Sequence, residues 1–161
     1  MTNQLSGLMS KVDRLPAPVR VKARSLLLGK LVKFVGTAGL AVEELTTQRA
    51  VISVKNRTRV QNHIGGVHAA AMALLAETAT GFVVGMNVPE DRTPVIKSMK
   101  VDFVKRSKGA MRAVAELTPE QVEAIRSTEK GEVTVQVAVT DEAGVEPVIC
   151  QMIWAWTPKR R

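Results

Sequence analysis

Val67-His68-Ala69-Ala70-Ala71-Met72-Ala73-Leu74-Leu75-Ala76-Glu77-Thr78-Ala79-Thr80-Gly81-Phe82-Val83-Val84-Gly85 contains no proline and one acidic residue, Glu77. Rich in alanine, it carries the strongest helix signal in the chain, over about Val67 to Val84. A helix that is apolar nearly all round is buried nearly all round. The small side chains of Ala69, Ala70, Ala71, Ala73, Ala76 and Ala79 let other backbone come close. Such a helix has to be enclosed by something, and the flanking sequence says what.

Beyond the turn region Asn87-Val88-Pro89-Glu90-Asp91 the period changes to two. Residues 94–107 read as a strand, and Gly109 turns the chain. Met111, Ala113, Ala115 and Leu117 then alternate with Arg112, Val114 and Glu116. Residues 119–127 read as a short helix, with Thr118 as cap and Pro119 first inside. Val133, Val135, Val137 and Val139 make the clearest strand, and Asp141-Glu142-Ala143-Gly144 a hairpin turn. Val148, Cys150, Met152, Trp154 and Trp156 line one face of a last strand.

Upstream, residues 4–13 suit a short helix, broken by Leu15-Pro16-Ala17-Pro18. From Val19 to Val35 the spacing is helical: Val19, Ala23, Leu26, Leu27, Leu31, Phe34 and Val35 share a face. That face is expected to pack on the domain, with Arg20, Arg24 and Lys33 on the solvated side and Gly36 and Gly39 ending the helix. Residues 40–56 read as a hairpin or one bent strand, and residues 56–66 as a polar loop. The resulting class is α+β: a curved antiparallel sheet wrapped around one long buried helix, with extra N-terminal helices. The expected division is 1–36 as a helical extension, 37–157 as the domain, and 158–161 as a basic tail.

The 161 residues suit one domain, and 45% hydrophobic content excludes a disordered chain. One cysteine, Cys150, excludes an internal disulfide framework; its mid-strand place suits an inert thiol. No apolar run reaches the ~20 residues of a membrane span, and the first residues lack the pattern of a signal peptide. A soluble, cytoplasmic protein is the expectation. The whole excess charge of +8 falls in residues 1–62, which attracts anions. With no Tyr, three Phe and two Trp, a base-stacking platform for nucleic acid is not expected. A membrane surface is the sharper reading of the basic 19–35 helix, but a packed helix with a solvated basic side is preferred.

The chain has no G-x-S-x-G, Walker, G-x-G-x-x-G or H-E-x-x-H motif. His63 and His68 lack an evident third ligand, so no metal is expected. What remains is Asn62 to Glu77. A carboxylate on an apolar helix is costly unless paired or used, and desolvation raises its pKa toward that of a general base near neutral pH. From these residues alone, Glu77 is equally a structural carboxylate, His68 a cap residue and Asn62 a loop residue. The first amides of the helix, near Gly66 to Ala69, are free donors at its positive end and can form an oxyanion site. Glu77 lies about 12 Å further along the axis, and His68 faces the opposite side. Two antiparallel helices in a twofold dimer bring both ends to one substrate.

Asn62-x-x-Gly65-x-Val67-His68-Ala69-Ala70, followed by Leu75-x-Glu77-x-Ala79-x-Gly81, resembles the N-x-x-G-x-x-H-G-G…(D/E)-x-A signature of hotdog acyl-CoA thioesterases. The phenylacetate-pathway and 4-hydroxybenzoyl-CoA types are the closest set, with a hotdog family of unknown function. The element order resembles theirs over residues 37–157. The resemblance implies hydrolysis of acyl-CoA to free acid and CoA in a homodimer or tetramer, without a cofactor, since CoA is part of the substrate. It implies Glu77 as base or nucleophile, the Ala69 amide as oxyanion donor, His68 orienting the thioester carbonyl, and Asn62 positioning water or the carbonyl from the neighbouring chain. Ala69 and Ala70 replace the family's two glycines; alanine keeps its amide, while its methyl narrows the slot.

Gly65 and Gly66 would border the substrate. Arg57, Arg59, Lys105, Arg106 and Lys108 are candidate contacts for the CoA phosphates, or simply solvated charges. The alternative function is a non-catalytic acyl-CoA binding or sensor protein of the same fold. A membrane-associated protein and a hotdog dehydratase or hydratase rank lower.

Overall fold

In the computed structural model, which describes residues 3–159, the elements run α1 (Gln4–Val12), α2 (Ala17–Leu31), α3 (Lys33–Ala38), β1 (Ala41–Leu45) and β2 (Arg49–Val54). A short 3-10 turn (Thr58–Val60) follows, then α4 (Ala69–Gly85) and β3 (Arg92–Phe103). The chain closes with β4 (Met111–Glu116), α5 (Pro119–Ser127), β5 (Gly131–Asp141) and β6 (Val148–Pro158). The strands form one antiparallel sheet in the order β1-β2-β4-β5-β6-β3.

The sheet curves around α4 because its central strands offer small side chains there. Ala50 pairs with Ala115 and Ile52 with Ala113, all fully buried. Larger residues close the core at the flanks: Met111, Met152 and Trp156. From α4, Met72, Leu75, Ala76, Ala79 and Val83 fill the space between. Met111, Ala113, Ala115 and Leu117 are buried as the alternation requires, and so are Val148, Met152, Trp154 and Trp156. The α5 helix begins where its sequence says, with a Thr118–Gln121 capping box ahead of Pro119.

The enclosure of α4 is incomplete. Ala70 is exposed, and Ala73, Leu74, Glu77, Gly81 and Gly85 are half-buried. Their spacing of three to four residues makes one stripe, which points away from the sheet. The expectation of a helix buried nearly all round fails along this stripe.

The N-terminal helices differ from expectation in three ways. The 19–35 helix is two helices, broken at Val32 (φ −111°, ψ 95°), and Gly36 lies inside α3 rather than ending it. The break folds backbone onto backbone: a Cβ on Gly36 would stand 2.6 Å from the Gly29 carbonyl oxygen, so only glycine fits. Gly39, at φ 71°, supplies the left-handed cap. Second, Val19, Leu26, Leu31 and Phe34 are exposed rather than packed. Third, Arg24 is buried: its guanidinium donates to Asp13 Oδ1 (2.5 Å) and to the Glu43 carbonyl (2.6 Å). Burial strips a charge of its water, and pairing of this kind offsets the cost.

Residue Asn3 ties the start of the chain to the end of α4. Its Nδ2 donates to the carbonyl of Gly85 (2.7 Å), in the last turn of the helix, and to that of Val88 (2.8 Å) just beyond it. Of the basic tail, Arg160 and Arg161 lie outside the described residues; Lys159 is held by its amide on the Asp91 carbonyl (2.9 Å).

Candidate functional site at the ends of the central helix

His68 is the N-cap of α4, with extended backbone (φ −65°, ψ 144°). Its Nδ1 accepts from the Ala70 amide (3.0 Å), and its carbonyl accepts from Ala71 and Met72. A neutral ring in that bond carries its proton on Nε2, leaving Nε2–H as a donor toward solvent. Among the described residues, the Ala69 amide donates to nothing. It is therefore the free donor at the positive end of the helix.

The loop before the helix is built by Asn62. Its Oδ1 accepts from the amides of Ile64 and Gly66 (both 3.0 Å), and its backbone N–H donates to the Gly66 carbonyl (2.8 Å). Gly65 takes φ 77°, which suits glycine. The side-chain oxygen of Asn62 is thus committed to the loop, and only its Nδ2 remains to meet a ligand. Asn56, which the sequence did not single out, completes the loop by donating to the Gly65 carbonyl (3.0 Å).

Asn62, Gly65, Gly66, Ala69, Lys105, Arg106 and Lys108 line one recess of about 520 Å³, with Phe103 and Ser107. Asp141 shapes its basic wall, accepting from the amides of Lys108 (2.9 Å), Ala143 (2.9 Å) and Val145 (3.0 Å). These bonds, with Val145 foremost, hold the Asp141 carboxyl below its ordinary range. The other candidates lie elsewhere. His68 and Arg59 face a smaller hollow beside Phe34 and Leu74. Arg57, again with Arg59, joins Lys22, Lys30 and Lys55 along a broad groove between α2, α3 and β1. Arg57 is therefore not brought to the recess.

Glu77 sits two turns further along α4, in a separate cavity of about 230 Å³. Its walls are apolar or glycine except for Glu77 itself and Thr78. Burial pushes the Glu77 carboxyl above its ordinary value of 4.5, opposed by the adjacent Thr78 hydroxyl, and no charged group contributes. That hydroxyl oxygen is buried without a hydrogen-bond partner, so its opposition is weak and desolvation decides the direction. Cys150 is likewise pushed up, to about 11, by burial and then by the Asp102 charge, which leaves it a poor nucleophile at neutral pH. Among the described residues no cluster of His, Cys, Asp and Glu could hold a metal, and no helix is long and apolar enough to cross a membrane.

A curved antiparallel sheet around one central helix, with a loop-built recess at that helix's N-terminus, is the hotdog fold. The profile of DUF4442, a domain of unknown function, matches residues 21–156, and the chain belongs to that family. No curated protein sequence matches the chain. Among solved structures it is similar to a protein of unknown function from Pseudomonas aeruginosa, described as a probable thioesterase. That pair has 24% identity and a TM-score of 0.75, over 90% of this chain and 97% of that one. It is also similar to a thioesterase of Haemophilus influenzae (14% identity, TM-score 0.62, 81% of this chain and 88% of that). A thioesterase family protein of Silicibacter pomeroyi gives 13% identity and a TM-score of 0.63, over 89% of this chain and 100% of that one. These likenesses, all below 25% identity, show a shared fold.

Proposed function

We propose that the protein hydrolyses acyl-CoA thioesters to free acid and CoA, in a homodimer whose sites each draw on both chains. The observation that carries this reading is Glu77, a carboxylate raised by desolvation in an otherwise apolar cavity. A structural carboxylate would be paired; this one has no ion pair among the described residues, and a raised pKa suits a base at neutral pH. The thioesterase descriptions of the similar structures favour the same chemistry.

The bare edge of the sheet supports the dimer. β3 pairs only with β6, and its other edge is open. Met99 and Phe103 lie opposite Met152 and Val148, on the α4 side of the sheet, yet are 52% and 53% exposed. Apolar residues uncovered beside an unpaired strand invite a second copy. A twofold axis there lays two α4 stripes antiparallel, and the 12 Å or so between Ala69 and Glu77 brings the amide of one chain level with the carboxylate of the other.

In that arrangement Glu77 takes a proton from water, and the hydroxide attacks the thioester carbonyl. The Ala69 amide of the other chain holds the developing oxyanion. His68 faces the neighbouring hollow rather than the recess and serves here as the cap that orients the first turn of the helix. The C–S bond then breaks, and the CoA thiolate leaves with the proton held by Glu77. Lys105, Arg106 and Lys108 attract the nucleotide phosphates to the recess. No resident cofactor takes part.

Thiol release from a panel of acyl-CoAs, wild type beside Glu77→Gln, tests the reading. Turnover lost in the variant with the dimer intact supports it. No turnover on any substrate overturns it in favour of an acyl-CoA binding protein, with the Ala69 methyl as the first obstacle to examine by Ala69→Gly.

A further inference from the structure

We propose that the N-terminal helices roof an acyl-chain site: the cavity beside Glu77 takes the hydrocarbon part of the thioester, and Leu5, Leu31 and Val32 set the length it accepts. The identity of the ligand rests on the hydrolytic reading of Glu77; the cavity and its walls do not.

The cavity has a rigid floor. Gly81 lets the Trp154 indole lie flat on α4, where a Cβ would meet the ring at 2.6 Å. The indole is fixed by Nε1–H donating to Thr80 Oγ1 (2.9 Å), whose own hydrogen turns back to the carbonyls of Ala76 and Glu77 (both 3.0 Å). Pro94 and Phe82 close the sides. A ring held by packing and a hydrogen bond does not move aside for a longer ligand.

The roof is made of residues outside the sheet-and-helix core. Leu31 and Val32 come from the break between α2 and α3, and Leu5 from α1. Leu31 is 65% exposed, although the helical spacing predicts that it packs inward, and Val32 is 38% exposed. Their apolar surface borders the cavity and stays partly uncovered among the described residues, so an apolar ligand gains by filling the space between roof and floor. Leu5 is the end wall: its Cδ2 stands 3.4 Å from where a Gly85 Cβ would be.

Polarity inside the cavity is confined to one place. Glu77 and Thr78 are adjacent, and the Thr78 hydroxyl is buried and unpartnered. A buried hydroxyl without a bond costs free energy that a ligand oxygen or the attacking water can recover. The cavity therefore has a polar end where the reaction is placed and an apolar end under Leu5. At about 30 Å³ per water-sized group, its volume of about 230 Å³ holds on the order of eight methylenes. The ligand class is a medium-chain acyl group. The larger recess at the helix N-terminus, bordered by three cations, suits the phosphate-bearing half of the same molecule.

The test uses uncharged probes first. Normal alkanols of two to twelve carbons are titrated into the full-length protein, read by tryptophan emission. Trp154 lines the cavity, whereas Trp156 is buried with its indole bonded to the Thr128 carbonyl (3.0 Å). Affinity should rise with length and level off near eight carbons. Val32→Phe, at a rim position where added bulk is tolerated, should shorten the limit by about two carbons. Leu5→Ala should lengthen it by about three, and the optimum for acyl-CoA hydrolysis should move in step.

Limits that move with both variants while no thioester is hydrolysed would uphold the site and sink the hydrolytic reading. Hydrolysis that depends on Glu77, with a length optimum unmoved in both variants and no alkanol response, would sink the site and leave hydrolysis standing. Should Leu5→Ala fail to fold, Val32→Phe decides alone.

Discussion

The two sides of α4 have opposite duties. Toward the sheet it presents Leu75, Ala76, Ala79 and Val83, all at 0% exposure, in an interior where each methylene is fitted. Away from the sheet it presents Ala70, Ala73, Leu74, Glu77 and Gly81, small or polar apart from Leu74 and only partly covered. Composition does not distinguish these sides, since both are rich in alanine. What separates them is a single carboxylate and the presence of glycine where large residues would otherwise sit. Stability is concentrated on one side and, in the proposed reading, chemistry on the other, so substitutions on the two sides should have separable effects.

The largest separation is expected at Glu77. Glu77→Gln keeps the shape and removes the base, and thiol release should fall about 1,000-fold. Its circular dichroism spectrum and dimer should be unchanged. A loss below tenfold would assign the base elsewhere. The mirror experiment is Leu75→Ala, two residues away on the sheet side. Unfolding free energy by urea titration should drop by about 3 kcal/mol, while kcat per folded chain stays within about threefold. If Leu75→Ala impaired turnover as much as Glu77→Gln does, the two sides would not be independent.

The exposed stripe is the surface that the proposed dimer would cover. Met99→Asp with Phe103→Asp puts charge on the uncovered end of β3, where Met99 and Phe103 are half exposed. Sedimentation should then show monomer, and thiol release at micromolar protein should fall at least tenfold, because each site loses half its groups. A monomer with undiminished turnover would show that one chain suffices.

How much of this was legible in the sequence differs by element. α5 was readable to the residue because Thr118, Pro119 and Gln121 carry its start locally. β5 and β6 were readable because alternation alone sorts their faces. The α2–α3 region was not, because helical spacing says which residues share a face but not what covers it. Leu31 and Phe34 share a face with buried Val35 yet lie open, and Arg24 is buried only because Asp13 and the Glu43 carbonyl, distant in sequence, converge on it. Around the site, the motif led to Asn62, Gly65, Gly66 and Ala69, and the charge pattern to Lys105 and Arg106; these converge in one recess. The cavity beside Glu77 was illegible. Leu5, Leu31 and Trp154 are separated by most of the chain, and nothing local marks them as neighbours.

The smallest expected effect is on stability against pH, and its sign is diagnostic. Burial raises the folded-state pKa of Glu77 above its ordinary 4.5, so the folded protein holds that proton more tightly than the unfolded chain does. Stability therefore falls as pH rises from 4.5 through the raised value, and the full penalty is present above it. Glu77→Gln should melt higher than wild type near pH 8, by about 2 °C. That advantage should close as pH falls below the ordinary carboxylate range. Asp141 has the opposite sign. Its amide bonds, led by Val145, lower its folded-state pKa, so the stability it confers is full above its ordinary 3.8 and lost as pH falls through the lowered value. Asp141→Asn should therefore lose stability near neutral pH and little below pH ~3, the reverse of the Glu77 pattern. A Glu77→Gln protein that melted lower than wild type near pH 8 would mean the carboxylate is paired in solution. It would then be a structural group, and the contrast between the two sides of α4 would fail at its most informative residue.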